Sequence, residues 1–331
     1  MMSSKKPVAF VTGATGFLGL NLVRELITRN WEVHALHRPS SDLRYLKDLP
    51  LTLVPGDILD TESLLTGIPE DCDALFHVAG DTSLWSGHDA RQTRINVEGT
   101  RNVVDAALQR GVRRFIHTST TSAFGRHPGL VNESSPSLAA DSVVNYEKSK
   151  YLGQELVRKA SKERGLDAVI LNPAAIIGPF DAQTWARTFY MLRDGKIAAL
   201  PPGSVSFNHV RNIVDAHINA VDHGRTGEQY ILGGETMKLA DMLRKMGALL
   251  DCKVPGIVAP AALLRLIGQV SSLAARFTHR EPNISLETAL FMGRSHVYDS
   301  SKAQRELGLK TASLDECLRD SIEWLKQEKL L

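Results

Sequence analysis

The feature that most limits what this chain can become is a glycine-rich turn near its start. The apolar run Val8-Ala9-Phe10-Val11 leads into Gly13-Ala14-Thr15-Gly16-Phe17-Leu18-Gly19, and from Phe17 onward Leu18, Leu22 and Leu26 recur at helical spacing. That is a strand, a tight turn and a helix. Glycine tolerates positive φ and lets another backbone come close, while the unpaired N–H groups that open a helix attract a pyrophosphate. A bare GxxGxxG also serves ordinary turns; set between a strand and a helix it reads as a dinucleotide-binding turn.

The alternation continues down the chain. Strand-like runs at 32–36, 51–54, 74–78, 114–117 and 168–171 are separated by helical stretches such as 94–110 and 146–164. This pattern predicts an α/β fold of the Rossmann type, a doubly wound parallel sheet whose ligands lie beyond the carboxyl ends of the strands. After Pro173 the pattern loosens at Gly178-Pro179, Pro201-Pro202-Gly203 and Gly233-Gly234, although Gln229–Leu232 reads as one more strand. The expected layout is a dinucleotide-binding domain over 1–172, to which 204–232 returns, and a smaller substrate lobe from 173–203 and 233–331.

The chain's 331 residues leave room for two such units. With 43% hydrophobic and 23% charged residues it has a globular composition, which excludes collagen-like and disordered classes. Its net charge of +2 is spread without basic runs, so a small molecule rather than a nucleic acid is the expected partner. Cys72, Cys252 and Cys317 are far apart and form no CxxC pair, which fits a reducing, cytoplasmic setting and predicts no metal site. The opening MMSSKKP is polar, without the apolar stretch of a signal peptide. Residues 254–277 are the one segment suited to membrane contact, but Pro255, Pro260, Arg265, Gln269 and Arg276 interrupt them. No integral span is expected there; an amphipathic helix covering a pocket is, with peripheral lipid contact left open.

The end of the second strand separates the two nicotinamide cofactors, because a carboxylate there bonds the ribose hydroxyls and repels a 2'-phosphate. Leu36-His37-Arg38-Pro39 carries no acid, and Arg38 either pairs with that phosphate or sits as a solvated surface arginine. NADP, as NADPH, is the expected cofactor, with NAD the other option. Asp57-Ile58, after the third strand, either bonds an adenine amino group and packs its ring or forms a simple turn. Further on, Tyr146-Glu147-Lys148-Ser149-Lys150 puts Tyr146 and Lys150 one helical turn apart on one face. A phenol of pKa ~10 is a poor acid-base at neutral pH, and an adjacent ammonium draws it down by stabilising the phenolate.

Together these motifs resemble the extended short-chain dehydrogenase/reductase family, in its NAD-dependent epimerase/dehydratase branch. The likeness runs over essentially the whole chain: the Gly13 turn, GDI at Gly56, FHVAG at Phe76, INVEGTRNV at Ile95, YxxxK at Tyr146 and LNPAAIIGP at Leu171. SLW at Ser83, SKYLGQ at Ser149 and EQYILGG at Glu228 make it similar to dihydroflavonol 4-reductase-like and hopanoid-associated epimerase-like proteins. The resemblance implies that Tyr146 is the acid-base and that Lys150 bonds the nicotinamide ribose and lowers the tyrosine's pKa. It also implies a hydroxyl residue five positions before a glycine, which counting back from Gly125 gives Thr120 in place of the commoner serine; Ser119 and Thr121 are the fallback. Asn96 matches a helix asparagine that organises backbone and water near the site, or sits on a helix surface. The implied cofactor contacts are Gly13, Thr15, Gly16, Phe17, Leu18, Gly19, Arg38, Asp57, Ile58, Ala79, Gly80, Asn96, Tyr146, Lys150, Pro173 and Ile176.

Reduction of a ketone or aldehyde is the first expectation, supported by the Leu171-Asn172-Pro173 strand exit. Nucleotide-sugar epimerisation with NAD is the second; it should need cations on the second lobe, where Arg187, Arg193, Lys196 and Arg211 are available. Dehydration is disfavoured because Thr121-Ser122 stand where dehydratases of the family carry an Asp-Glu pair. The segment normally read as HVDD is here His209-Val210-Arg211-Asn212, so no role is carried over from it. Trp85, Asn172 and Trp185 are the candidate substrate contacts. With Phe189, Tyr190 and Met191 the two tryptophans suggest an apolar pocket, or else the core of the second lobe. The resemblance implies a homodimer through a bundle of helices 94–110 and 146–164, with Val103, Ala107, Leu152 and Leu156 either facing outward or turned to the sheet.

Overall fold

In the computed structural model, which describes residues 5–278 and 280–331, the strands in chain order are β1 (Val8–Thr12), β2 (Glu32–His37), β3 (Thr52–Pro55), β4 (Ala74–His77), β5 (Arg114–Thr118), β6 (Leu130–Val131), β7 (Ala168–Pro173), β8 (Ala175–Ile177), β9 (Ser204–His209), β10 (Gln229–Leu232), β11 (Glu235–Lys238) and β12 (Val297–Tyr298). The polar opening, read as lacking a signal peptide, has its residues 1–4 outside the described residues. The helices are α1 (Phe17–Thr28), α2 (Thr61–Gly67), α3 (Asp89–Thr93), α4 (Thr100–Gln109), α5 (Asn145–Arg164), α6 (Trp185–Arg193), α7 (Val210–His223), α8 (Leu239–Leu250), α9 (Ala261–Thr278), α10 (Leu286–Met292), α11 (Ser301–Leu307) and α12 (Leu314–Gln327).

Seven strands make one sheet in the order β10-β7-β5-β4-β1-β2-β3, every pair parallel. This is the doubly wound Rossmann-type arrangement. β1 and β4 are buried along their whole length, as the continuous apolar runs of a sheet covered on both faces require. Leu22 and Leu26 of α1, Ile213 and Val221 of α7 and Leu307 of α11 cover one face. Leu64 of α2, Val103 and Ala107 of α4 and Val157 of α5 cover the other. Each such leucine or valine contributes about 1.5–3 kcal/mol relative to an exposed position. The chain order reverses between β1 and β4, which opens a crevice at their carboxyl ends.

Two smaller sheets carry the rest. β9 lies between β8, parallel to it, and β11, antiparallel, while β12 pairs with β6. The chain therefore returns to the main sheet from Val210 onward, through α7 and β10, since Ser204–His209 belongs to the second sheet. Helices α6, α8 and α12 close over that sheet around Phe189, Phe207 and Leu318.

The helix expected over 94–110 begins earlier and is not continuous. α3 passes into a π-helical turn at Arg94–Gly99 before α4 resumes. Within that turn the Asn96 side chain is tied to Asp81, and the Asn96 carbonyl accepts from Thr100 Oγ1 at 2.8 Å. Val103 and Ala107 face the sheet and are fully buried, so they offer nothing to a partner; Leu152 and Leu156 lie at the surface of α5.

Candidate active site

A cleft of about 1030 Å³ runs across the carboxyl ends of the main-sheet strands. One end is the glycine turn. Gly13 has φ +72°, and a Cβ there would meet the Ala79 backbone nitrogen at 2.6 Å. A Cβ on Gly19 would overlap the Gly13 carbonyl oxygen, so α1 can start this close to β1 only with glycine at both positions. Gly16 is the N-cap of α1 and has no side chain with which to cap it. Thr15, Gly16, Phe17 and Leu18 line the cleft beside the helix's positive end, a site suited to a pyrophosphate.

Past the turn, Arg38 lines the cleft and makes no side-chain hydrogen bond or ion pair among the described residues; only its backbone is engaged, the N–H donating to Ser41 Oγ at 3.2 Å and the carbonyl accepting from the Ser41 N–H at 2.9 Å. The nearby acid Asp42 is held by Arg44. Asp57 accepts from the Leu59 N–H at 2.9 Å, and Ile58 packs directly over Gly99. Ala79, Gly80, Pro173 and Ile176 form the floor toward the middle. Asn96 is buried behind this wall. Its amide donates to the Asp81 carbonyl at 2.9 Å and to Ser149 Oγ at 3.0 Å, and its oxygen accepts from the Asp81 N–H at 2.8 Å, clamping the Gly80-Asp81 loop to α5.

At the middle of the cleft, α5 presents Tyr146 and Lys150 and the loop after β5 presents Thr120. Lys150 Nζ donates to the Thr118 carbonyl at 2.8 Å, and burial draws its pKa down to about 8. Thr120 Oγ1 accepts from the Ser122 N–H at 3.2 Å. Burial pushes the Tyr146 phenol above its ordinary value, and the Thr120 hydroxyl beside it pulls the other way. The sequence resemblance implies a Tyr146 lowered by Lys150; here burial dominates and favours the neutral phenol, the form that gives up a proton. Beneath Lys150, the buried His77 bonds Thr12 at 2.8 Å and Thr100 at 3.0 Å, and burial holds it and His117 well below the usual imidazole range. Neutral imidazoles there leave Lys150 as the cation of this wall. A phenol, a hydroxyl and a buried amine in one cleft with a pyrophosphate cradle can pass a proton to a bound oxygen.

The model of the NAD dependent epimerase/dehydratase family matches residues 9–233, which contain the turn, the floor loops and both α5 residues. The chain belongs to the NAD dependent epimerase/dehydratase family. Its relatives include sterol demethylase protein B of Methylococcus capsulatus, 32% identical over 97% of this chain and 99% of that protein. Another is a 4-hydroxy-2-methyl-3-oxo-4-farnesyl-3,4-dihydroquinoline-1-oxide ketoreductase of Stigmatella aurantiaca, 31% identical over 90% of each chain. The crystal structure of gox2253 superposes with a TM-score of 0.86 at 31% identity, covering 98% of this chain and 100% of that one. This member of the epimerase/dehydratase family is an NAD(P)-dependent oxidoreductase of the extended short-chain dehydrogenase/reductase type. The cofactor class fits the structure: the Gly13 and Gly19 approaches are closed to any side chain, and the capless α1 terminus faces the same cleft.

Three expected residues lie off this family member's cleft wall. Trp85 packs edge-on against His88 at 4.6 Å between ring centroids, while its neighbour Leu84 takes the wall position. Asn172 is fully buried; its amide donates to the Thr120 carbonyl at 3.0 Å and to Gln154 at 2.7 Å, so it holds the loop rather than meeting a ligand. Asn96 is the third. Trp185 does line the cleft, whereas Phe189 is buried in the second lobe's core and Tyr190 packs against that core.

The wall beyond Tyr146 comes from residues outside every motif. Phe291 of α10, Arg294 and His296 of the loop that follows, and Tyr298 of β12 line it. Arg294 forms an ion pair with Glu147, the residue after Tyr146; the two side chains are 12% and 2% exposed. Glu147 also accepts from Ser142 Oγ at 2.6 Å. The Tyr298 hydroxyl sits beside Thr121. The one sequence signal for this wall is the alternate spacing of Arg294, His296 and Tyr298, which puts all three on one side of an extended segment.

Proposed function

We propose that the protein reduces the carbonyl of an apolar or aromatic ketone or aldehyde with NADPH, Tyr146 supplying the proton. The observation that carries this reading is the meeting of Tyr146, Thr120 and Lys150 in the cleft that the glycine turn opens. When bound, the reduced nicotinamide is the hydride source for the carbonyl carbon. Gly13, Gly16 and the first turn of α1 hold its pyrophosphate, Arg38 its 2'-phosphate, Asp57 and Ile58 its adenine, and Lys150 its ribose. The Thr120 hydroxyl donates to the carbonyl oxygen and orients it. Tyr146 then transfers its phenolic proton to that oxygen as the alkoxide develops, so the product is an alcohol. Lys150 steadies the phenolate left behind until solvent returns the proton.

Arg38 supports NADPH over NADH, because an unpaired guanidinium faces the cleft and no free acid stands beside it. The wall formed by Leu84 of the first segment and by Trp185 and Phe291 of the lobe of 173–203 and 233–331 supports an apolar substrate. Against the epimerase reading, Arg187, Arg193, Lys196 and Arg211 all lie off the cleft, and the last three are paired with Asp194 or Glu316. A homodimer through α5, with Leu152 and Leu156 at its surface, belongs to the same proposal and predicts a two-chain mass in light scattering. The test of function is a panel of ketones, aldehydes and nucleotide sugars with each nicotinamide. Loss of NADPH absorbance matched by alcohol formation supports the reading. Nucleotide-sugar interconversion without net cofactor consumption overturns it.

A further inference from the structure

Helix α9 is amphipathic in the reverse of the usual sense. Its inward face is small: Leu264 sits in a minor core with Ala289 of α10, Gly268 lies against the Ser285 carbonyl and Ala289, and Ser272 accepts from the Leu286 N–H at 2.9 Å. Its outward face carries Leu263, Leu266, Ile267, Val270, Leu273 and Phe277, spaced as one helical stripe. Leu266 is 56% exposed, Val270 60%, Leu273 56% and Phe277 81%. The segment before the helix adds exposed Ile257 and Val258. An unbroken apolar stripe of this size on a surface marks an interaction site.

Charge identifies what covers it. From 252 to 280 the sequence contains Lys253, Arg265, Arg276 and Arg280 and not one Asp or Glu. Lys253, Arg276 and Arg280 are exposed, at the two ends of the stripe. A helix lying in a membrane interface needs apolar residues on one side, cations that reach lipid headgroups, and an absence of acids. No helix among the described residues is long and apolar enough to cross a membrane. We propose that the outward face of α9 docks flat on an anionic lipid surface, with Leu266, Val270, Leu273 and Phe277 in the acyl boundary and Arg276 and Arg280 on the headgroups. The inward face of α9 packs on α10, which contributes Phe291 to the cleft wall. Docking stands independently of the reductase reading, and its failure leaves that reading intact.

The test is cosedimentation of the full chain with vesicles of phosphatidylcholine containing about one third phosphatidylserine, beside pure phosphatidylcholine vesicles. The expected result is binding to the anionic vesicles at least about tenfold tighter than to the neutral ones, since each arginine contributes about fivefold. Leu273→Ser with Phe277→Ser should remove binding, and Arg276→Glu with Arg280→Glu should weaken it by more than about tenfold. All four residues are exposed, and an unchanged unfolding midpoint verifies that the variants fold. Equal binding to both vesicle types, or none to either, overturns the proposal. So does a lipid-free mass that drops when Leu273 and Phe277 are replaced, which would make a second copy of the chain the occupant.

Discussion

Two arginines stand at the two ends of one cleft and are held in opposite ways. Arg38, beyond the glycine turn, is exposed and has no side-chain partner among the described residues. Arg294, beyond Tyr146, is largely covered and already paired with the buried Glu147. The first is a cation free for a ligand; the second is a tie between the second lobe and the helix that carries Tyr146. The difference teaches that the end at the glycine turn is open and made of contiguous motifs, whereas the end beyond Tyr146 is assembled by contacts between segments far apart in sequence. Replacing residues at each end should therefore produce different kinds of loss.

The largest effect is expected between the two ends. Tyr146→Phe removes the proposed proton donor without removing a contact to the pyrophosphate cradle. It should lower kcat by about 10²–10⁴-fold, while NADPH still quenches protein fluorescence with near-native affinity. A rate within a fewfold of wild type would detach the proton step from this residue.

Next is the tie. Arg294→Met leaves the Glu147 carboxylate buried and unpaired, and should destabilise the fold by about 3–5 kcal/mol in denaturant melts. Adding Glu147→Gln to that variant should recover most of the loss. If Arg294→Met melts like wild type, the tie is not structural and the contrast with Arg38 fails.

Arg38→Ala should leave stability unchanged and reduce the preference for NADPH over NADH by about tenfold, read from binding titrations at modest salt. Equal affinities in the wild type would remove the basis for that preference.

The smallest effect concerns pH. Because burial lowers Lys150 to about 8 and raises Tyr146, the amine is the first of the two to lose its proton as pH rises. kcat/KM for reduction should fall by half near that value, and Lys150→Arg should move the fall upward. The stability effect has the opposite sign. The folded amine's pKa is below its unfolded value, so the unfolded chain binds the extra proton and stability rises with pH between about 8 and 10.5.

The comparison of ends also explains what was legible in the sequence. The turn from Gly13 to Gly19, Tyr146 with Lys150, and the parallel strands were readable because each is a local pattern set by sterics or by helical spacing. Gln229–Leu232 was readable as a strand, and it pairs with β7 at the edge of the main sheet. The π turn at Arg94–Gly99 was not, since its apolar spacing is indistinguishable from that of an α-helix and the Asn96 contacts within it are with Asp81 and Ser149, far away in sequence. Trp85 and Leu84 are neighbours, and which of them meets the cleft is decided by a loop that anchors on Ser285 through the Leu84 carbonyl. Arg294, His296 and Tyr298 reach the site because β12 pairs with the two-residue strand β6, too short for any periodicity to announce.

The central claim is that Tyr146 protonates a carbonyl reduced by freely exchanging NADPH. Its most direct test is the stoichiometry of turnover by protein purified without added nucleotide, given NADPH and an apolar ketone. The account predicts one NADPH consumed for each alcohol formed, none with Tyr146→Phe, and little nucleotide carried through purification. Tightly bound NAD on the purified protein, with conversion of a nucleotide sugar and no net loss of cofactor, would contradict it.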